Sequence, residues 1–136
     1  MTKPSLLTKD NHKIVIALGD PAGIGLEIIL KALFSNELPK EIKPLLVGCK
    51  KSIEMTYSKL KEKGVNELAD PDQLEIKNFP LNHEIELGHP NAITGAASFK
   101  WLTKATELVL KGEGRALVTA PIAKHAWYDA GHFYGG

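Results

Sequence analysis

Two short loops contain the residues that could do chemistry. The first is the string GDPAGIG at residues 19–25. Its three glycines allow positive backbone φ angles and close approach of a ligand or of another backbone segment, and amides that open a helix could bind an anion. Asp20 and Glu27 would repel a phosphate there, and Asp20 could instead cap the helix or tie the turn. An anion site and a tight structural turn therefore both stay open.

The first loop fits neither common nucleotide-binding template. The Walker pattern needs a Gly-Lys-Ser/Thr sequence, and Ile24 stands at the fifth place after Gly19. The dinucleotide fingerprint counted from Gly23 needs glycine or alanine at position 28, which is Ile28. The loop is therefore not a standard phosphate cradle.

The second loop is the string TAPIAK at residues 119–124. It places a hydroxyl, that of Thr119, at a strand end and the cation of Lys124 near a helix start. The helix dipole disfavours a cation at that end, so an anionic ligand or a carboxylate would explain Lys124. The alternative is an ordinary solvated lysine.

The histidines and the single cysteine form no familiar local pattern. Neither the spacing from His83 to His89 nor that from His125 to His132 matches a His-Glu-x-x-His zinc motif, so surface or capping histidines are predicted. Cys49 has no CxxC partner and is predicted to be a small buried residue.

Alternating strand and helix patterns must position the two loops. Short apolar, β-branched runs predict buried strands at residues 13–18, 43–47 and 115–119, and residues 74–77 fit a further strand inside a loop-rich connection. Pro44 suits only the first residue or an edge of its strand. Since ligands bind beyond the carboxyl ends of parallel strands, both loops lie where a site is expected.

Helical patterns fill the intervals between these strands. The first helix has an apolar row of Ile24, Ile28 and Ala32, with Ile29 and Leu33 beside it, and a charged surface helix is predicted at residues 52–63. A helix at residues 94–111 has an apolar row of Ala97, Trp101, Ala105 and Leu108. A short helix is predicted at residues 122–130, with Pro121 where its first turn would begin. This alternation predicts an α/β fold, with parallel strands, right-handed crossovers and helices on both faces of the sheet.

Composition narrows the class of protein. The chain has 136 residues, 17 basic and 16 acidic side chains, and 43% hydrophobic residues, the proportions of one ordinary soluble domain. Its near-neutral charge predicts no nucleic-acid or membrane partner. A single cysteine excludes an internal disulfide. Together with the lack of a leader-like or membrane-spanning segment in the sequence, this predicts a cytoplasmic protein.

Three blocks of residues resemble one family. Residues 14–27 (IVIALGDPAGIGLE) resemble the amino-terminal signature of 4-hydroxythreonine-4-phosphate dehydrogenases of vitamin B6 biosynthesis, which usually have proline where this chain has Leu26. Residues 95–105 and 116–124 resemble the family's next helix and its Thr-Ala/Gly-Pro-Ile-x-Lys loop, and residues 130–135 resemble the segment that follows.

The resemblance implies a fold and a reaction. The fold is the three-layer, mostly parallel one of isocitrate and isopropylmalate dehydrogenases. Family members use NAD and a divalent metal (Mg, Zn or Co) to oxidise the secondary alcohol of 4-phosphooxy-threonine, a small phosphorylated amino acid. The β-keto acid then loses carbon dioxide to give 3-amino-2-oxopropyl phosphate. The family forms homodimers, with the site in a cleft near the subunit interface.

The resemblance also implies that residues 1–136 are only the amino-terminal part of this fold. The family's chain is more than twice as long, and its metal-binding histidines and most cofactor and phosphate ligands lie beyond Gly136. The truncated chain is therefore expected to be inactive alone, with no confident catalytic residue or metal ligand of its own. Asp20 and Lys124 match motif positions near the cleft, where Asp20 would orient the loop or a polar ligand group and Lys124 would supply positive charge near the substrate.

Two alternatives stay open. One is a dehydrogenase of the same family for 4-phosphorylated threonate or erythronate, which would share these loops. The other is a non-catalytic binding or dimerisation module, which would fold cooperatively without a large exposed apolar face.

Overall fold

A four-stranded parallel sheet forms the centre of the molecule. The computed structural model describes residues 12–134. The strands are β1 (Lys13–Ala17), β2 (Lys43–Gly48), β3 (Glu75–Asn78) and β4 (Ala116–Thr119), and they lie in the order β3-β2-β1-β4. All three strand pairs are parallel, with Val15 in register with Leu45 on one side and with Leu117 on the other. The predicted parallel α/β sheet is therefore confirmed.

Helices cover the sheet on both faces. They are α1 (Gly25–Phe34), α2 (Lys50–Glu62), α3 (Ala92–Leu110) and α4 (Lys124–Asp129), with a 3-10 turn at Pro71–Gln73. The crossovers through α1 and α2 extend the sheet from β1 to β3, whereas the crossover through α3 returns past β1 to β4. Because crossovers between parallel strands are right-handed, this strand order puts α3 on the opposite face from α1 and α2. Contacts of α3 with β1, β2 and β4, and of α1 with α2, agree with this three-layer arrangement.

The core lies where β2 is enclosed by both helical layers. Leu45, Leu46 and Val47 are each no more than 1% exposed. From the other layer α3 contributes Trp101, which is 1% exposed and donates its indole N–H to the Phe79 carbonyl at 3.3 Å. The predicted burial of Trp101, Ala97 and Ala105 is therefore confirmed, and Leu108 of the same row is half-buried.

The long helix α3 has a well-defined start. Asn91 caps it by accepting the backbone N–H of Thr94, and the Thr94 hydroxyl accepts the backbone N–H of Asn91 in return, which is a capping box. The helix runs for 19 residues with a mixed polar and apolar surface. Within residues 12–134, no helix is long and apolar enough to cross a membrane.

The predicted helix α1 is confirmed, but its predicted apolar row of Ile24, Ile28 and Ala32 is not the buried one. Ile24 is 64% exposed and Ile28 44%, and Ala32 is exposed as well. The buried face is formed by Leu26, Ile29 and Leu30, together with Gly25. Of the two residues predicted beside the row, Ile29 is therefore buried, and Leu33 is half-buried against the core. Since apolar residues surround almost the whole helix, the i, i+4 row could not show which side meets the sheet.

The two prolines near strand ends behave differently from each other. Pro44 is the second residue of the inner strand β2, but pairing with β3 begins only at Leu45, so Pro44 lies at a local edge as its missing N–H requires. Pro121 does not begin a helix, because its carbonyl accepts the N–H of Asp20 at 2.9 Å and α4 begins only at Lys124. The predicted helix start at residue 122 is therefore wrong by two residues.

Candidate functional site

The glycines of the first loop make room for the second loop. Gly19 has φ +77°, and a Cβ there would overlap the Pro121 carbonyl oxygen and come within 2.9 Å of the Ala120 carbonyl carbon. A Cβ on Gly25 would lie 2.8 Å from the Ala120 Cβ. Of the uses that the sequence left open for these glycines, the structure shows a positive φ angle at Gly19 and close approach of another segment of the chain at Gly19 and Gly25. We call residues 18–25 and 119–124 together the loop junction.

Asp20 holds the first loop from inside. Its side chain is 3% exposed. One carboxylate oxygen accepts the N–H of Ala22 at 2.8 Å, and the other accepts the hydroxyl of Thr94 at 3.0 Å. With both oxygens engaged inside the protein, the geometry favours the first predicted role of Asp20, orientation of the loop, over contact with a ligand.

Thr94 joins the loop junction to α3, and sequence reasoning missed it. Its hydroxyl, fully buried, lies between Asp20 and Asn91. The Asn-x-x-Thr pattern at residues 91–94 is a recognisable helix start. The link to Asp20 had no sequence signal, since 74 residues separate the two side chains.

Replacing Thr94 with valine is expected to lower the free energy of unfolding by about 1–3 kcal/mol, because a buried carboxylate oxygen of Asp20 loses its donor and the Asn91 N–H loses its acceptor in the capping box. Urea unfolding followed by tryptophan fluorescence would measure the loss. Thr106→Val is the matched control, since the Thr106 hydroxyl bonds only the Leu102 carbonyl one turn earlier in α3. Equal losses in the two variants would contradict a stabilising link between Thr94 and Asp20.

Lys124 is presented outward from the loop junction. It is the first residue of α4 and is exposed, and no carboxylate among residues 12–134 lies within ion-pairing distance of it. Two grooves meet at its side chain. One, of about 590 Å³, runs between α3 and α4, and the other, of about 480 Å³, follows α4 to residues 132–134. Lys124 therefore supplies a positive charge to both grooves.

Close packing of α4 against α3 fixes the position of Lys124. A Cβ on Gly95 would overlap the Ala126 carbonyl, so only glycine permits this approach. The Trp127 indole N–H donates to the Ser98 hydroxyl at 2.8 Å. Nearby, His132 is half-buried at the end of α4, where its backbone N–H donates to the Trp127 carbonyl at 2.9 Å and its ring stacks on Phe99 with ring centroids 3.6 Å apart.

The histidines offer no metal site in the described part of the chain. His83, His89 and His125 are exposed, and His89 lies 3.3 Å from Glu86. Within residues 12–134, no group of three His, Cys, Asp or Glu side chains could hold a metal ion. No catalytic step through a metal can be derived from these residues.

Cys49 follows β2 at the same edge of the sheet and is buried, as predicted. Burial raises the pKa of its thiol, but hydrogen bonds from the Ser52 hydroxyl and from the backbone at Leu81, Ser52 and Lys51 outweigh burial, and the net pKa is lowered. The Cys49 carbonyl accepts the N–H of Ile53 at 3.2 Å at the start of α2, so Cys49 is a structural residue of the β2–α2 connection.

The sequence of the chain matches a known protein family. The family model described as pyridoxal phosphate biosynthetic protein PdxA matches residues 40–136. The chain belongs to the PdxA family. The matched region contains Thr94, the second loop and Lys124, and the resemblance noted in the sequence is thereby confirmed.

Named relatives place the chain within this family. It is 53% identical over 124 residues to a 4-hydroxythreonine-4-phosphate dehydrogenase of Synechococcus sp. strain RCC307, covering 91% of this chain and 37% of that protein. It is 33% identical to a D-threonate 4-phosphate dehydrogenase of Pectobacterium atrosepticum, covering 90% of this chain and 41% of that one. A crystal structure of a 4-hydroxythreonine-4-phosphate dehydrogenase from Burkholderia phymatum matches with a TM-score of 0.80 and 26% identity, covering 93% of this chain and 41% of the other. The chain thus spans about two fifths of the length of these PdxA-family relatives.

Proposed function

We propose that this chain forms one wall of the substrate cleft of a dehydrogenase acting on 4-hydroxythreonine 4-phosphate in vitamin B6 biosynthesis. The observation that carries the proposal is the loop junction, where buried Asp20 fixes a backbone that presents Lys124 to two grooves. The junction lies beyond the carboxyl ends of β1 and β4, where parallel sheets bind ligands. The relatives' names supply the substrate class.

Lys124 has the chemistry to bind such a substrate. A phosphorylated hydroxy amino acid carries a phosphate and a carboxylate, and an exposed ammonium group attracts either of them. Asp20 and Thr94 would affect the substrate only indirectly, because they hold the backbone of the loop junction and do not reach the grooves themselves. Lys124 would therefore be a binding residue, and Asp20 and Thr94 positioning residues.

NAD and a divalent metal are proposed for the longer family protein and not for this chain alone. The space beside Gly19 and Gly25 is filled by Leu18, Ala120 and Pro121 of the chain itself. No group of three His, Cys, Asp or Glu side chains within residues 12–134 could hold a metal ion. When bound, NAD would accept the hydride of the substrate alcohol and the metal would polarise its oxygen. The ligands of both groups are proposed to lie in the part of the family's sequence that this chain does not contain.

The same geometry suits 4-phosphorylated threonate, which has a hydroxyl in place of the amino group. The Pectobacterium relative favours this second candidate. None of the described residues at the loop junction distinguishes an amine from a hydroxyl. The choice between the two substrates therefore rests on sequence identity, which is higher to the Synechococcus relative and favours the amino acid. The predicted homodimer and cytoplasmic location stay predictions.

A chimera tests the proposal. Residues 1–136 would be joined to the part of the Synechococcus relative that lies outside the match, and NADH formation would be followed with NAD and Mg²⁺, Zn²⁺ or Co²⁺. We expect activity from the chimera, a higher kcat/KM for 4-phosphooxy-threonine than for 4-phosphothreonate, and none from the 136-residue chain. NADH formed by that chain alone would contradict the proposed division of the site, and a preference for the threonate would move the substrate to the second candidate.

A further inference from the structure

Two residues border both of the grooves that meet at Lys124. They are Lys124 itself and Tyr134, which line the groove between α3 and α4 and also the groove that follows α4. We call the first the α3–α4 groove and the second the α4 groove. Among the described residues, each groove is lined by one carboxylate, Glu107 in the first and Asp129 in the second, and neither borders the other groove. Lys124 and Tyr134, which we call the shared wall, therefore offer an ammonium group and a phenol hydroxyl.

A turn after α4 brings Tyr134 back toward the start of that helix. Gly131 has φ +96°, and the backbone N–H of His132 donates to the Trp127 carbonyl at 2.9 Å, which is how a helix ends when its chain reverses direction. From Lys124 to its carboxyl-terminal cap, α4 rises about 9 Å. The three residues that follow Gly131 can span about 10 Å. The returning segment is therefore long enough for Tyr134 to reach the level of Lys124.

Neighbouring rings hold the ring of Tyr134. It stacks on Phe99 with ring centroids 5.6 Å apart, and it meets Trp127 edge to face with centroids 6.4 Å apart. Trp127 is itself fixed, because it is 9% exposed and its indole N–H donates to the Ser98 hydroxyl at 2.8 Å. Tyr134 is nevertheless 64% exposed, and its hydroxyl has no hydrogen-bond partner within residues 12–134. A held ring thus presents an unused donor to the two grooves that Lys124 borders.

We propose that the shared wall binds the phosphate group of the substrate, with Tyr134 as a second binding residue beside Lys124; this inference rests on the function proposed above. A phosphate group has three terminal oxygens that accept strong hydrogen bonds, so it can bind an ammonium group and a phenol hydroxyl together. The ammonium group supplies charge, and the neutral phenol adds a directed donor. The substrate's carboxylate carries a single charge and gains less from the ammonium group than a phosphate that is close to a dianion.

Binding of inorganic phosphate to the 136-residue chain tests the shared wall without any assay of activity. NMR chemical shifts would be followed in titrations at constant ionic strength, so that screening by salt stays fixed. We expect saturable binding in the millimolar range, with the largest shift changes at Lys124 and Tyr134. Tyr134→Phe keeps the ring contacts and is expected to weaken binding about five- to tenfold, the effect of one lost hydrogen bond in a solvated groove. Lys124→Met is expected to weaken it at least as much.

Tyr128→Phe is the matched control for the loss of a phenol hydroxyl. Tyr128 is 63% exposed, close to the value for Tyr134, but it borders only the α4 groove. Its replacement is expected to leave the affinity for phosphate unchanged. Acetate is the control ligand for the substrate's carboxylate, and it is expected to bind more weakly than phosphate. The same NMR spectra show whether each variant is folded.

Three results would overturn the proposal. They are the absence of saturable phosphate binding, an affinity that Tyr134→Phe changes no more than Tyr128→Phe does, and acetate binding as tight as that of phosphate. Each of these results leaves the proposed dehydrogenase to be decided by the activity of the chimera. In contrast, an inactive chimera would contradict the proposed dehydrogenase, whereas phosphate binding that Tyr134→Phe weakens would still assign an anion site to the shared wall.

Discussion

Gly19→Ala is expected to destabilise the chain by about 2–5 kcal/mol. An alanine at φ +77° costs about 1–2 kcal/mol in the backbone. Its Cβ would also overlap the Pro121 carbonyl, which accepts the Asp20 N–H, and overpacking of this kind adds about 1–3 kcal/mol. Urea unfolding, followed by the fluorescence of the two tryptophans, would measure the change.

Gly64→Ala separates the two contributions. Gly64 has φ +89°, close to that of Gly19, but a Cβ there would meet nothing within 4 Å. Its replacement is expected to cost only the backbone contribution of about 1–2 kcal/mol. A loss at Gly19 no larger than that at Gly64 would show that the two loops do not press together as described.

The secondary structure could be predicted because its signals are local. The strands at β1 and β2 are short apolar runs bounded by polar or glycine residues, and α3 has both a regular apolar row and a cap. The parallel sheet followed from the alternation of strands and helices. These features depend on neighbours within a few residues, which a single sequence displays.

The orientation of α1 and the start of α4 could not be predicted because distant residues decide them. Ile24 and Ile28 form as good an apolar row as Leu26, Ile29 and Leu30, and only the position of the sheet selects the buried one. Likewise Pro121 stays outside α4 because its carbonyl bonds Asp20, about a hundred residues earlier in the chain. Non-local contacts override local preference at both places.

The candidate site could be predicted only in part, because its loops have local sequence signals and the contacts that position them do not. Asp20 and Lys124 stand in recognisable loops, so the sequence could place both at one edge of the sheet. Their different positions, one buried and one exposed, depend on Thr94 and on the close approach of α4 to α3 at Gly95. Positioning residues of this kind show no chemical signature in a sequence, since threonine and glycine also occur in helices where they bind and position nothing.

Lys124→Met in the chimera is expected to lower kcat/KM for the phosphorylated substrate roughly 10- to 100-fold, the size of one lost hydrogen bond to a charged group. The loss should fall mainly on KM if Lys124 binds the substrate equally in the ground and transition states. Lys124→Arg keeps the charge and is expected to recover part of the loss. Steady-state kinetics over a range of salt concentrations would measure all three enzymes.

Lys111→Met provides the matched control for the loss of a positive charge. Lys111 is exposed at the carboxyl end of α3, the end away from the loop junction, and its replacement is expected to leave kcat/KM unchanged. Because long-range attraction is screened by salt, a general charge effect would shrink equally for both variants at high ionic strength. If Lys124 contacts the substrate directly, the kcat/KM values of Lys124→Met and Lys111→Met will still differ at high salt. Equal values would mean that Lys124 is an ordinary solvated lysine.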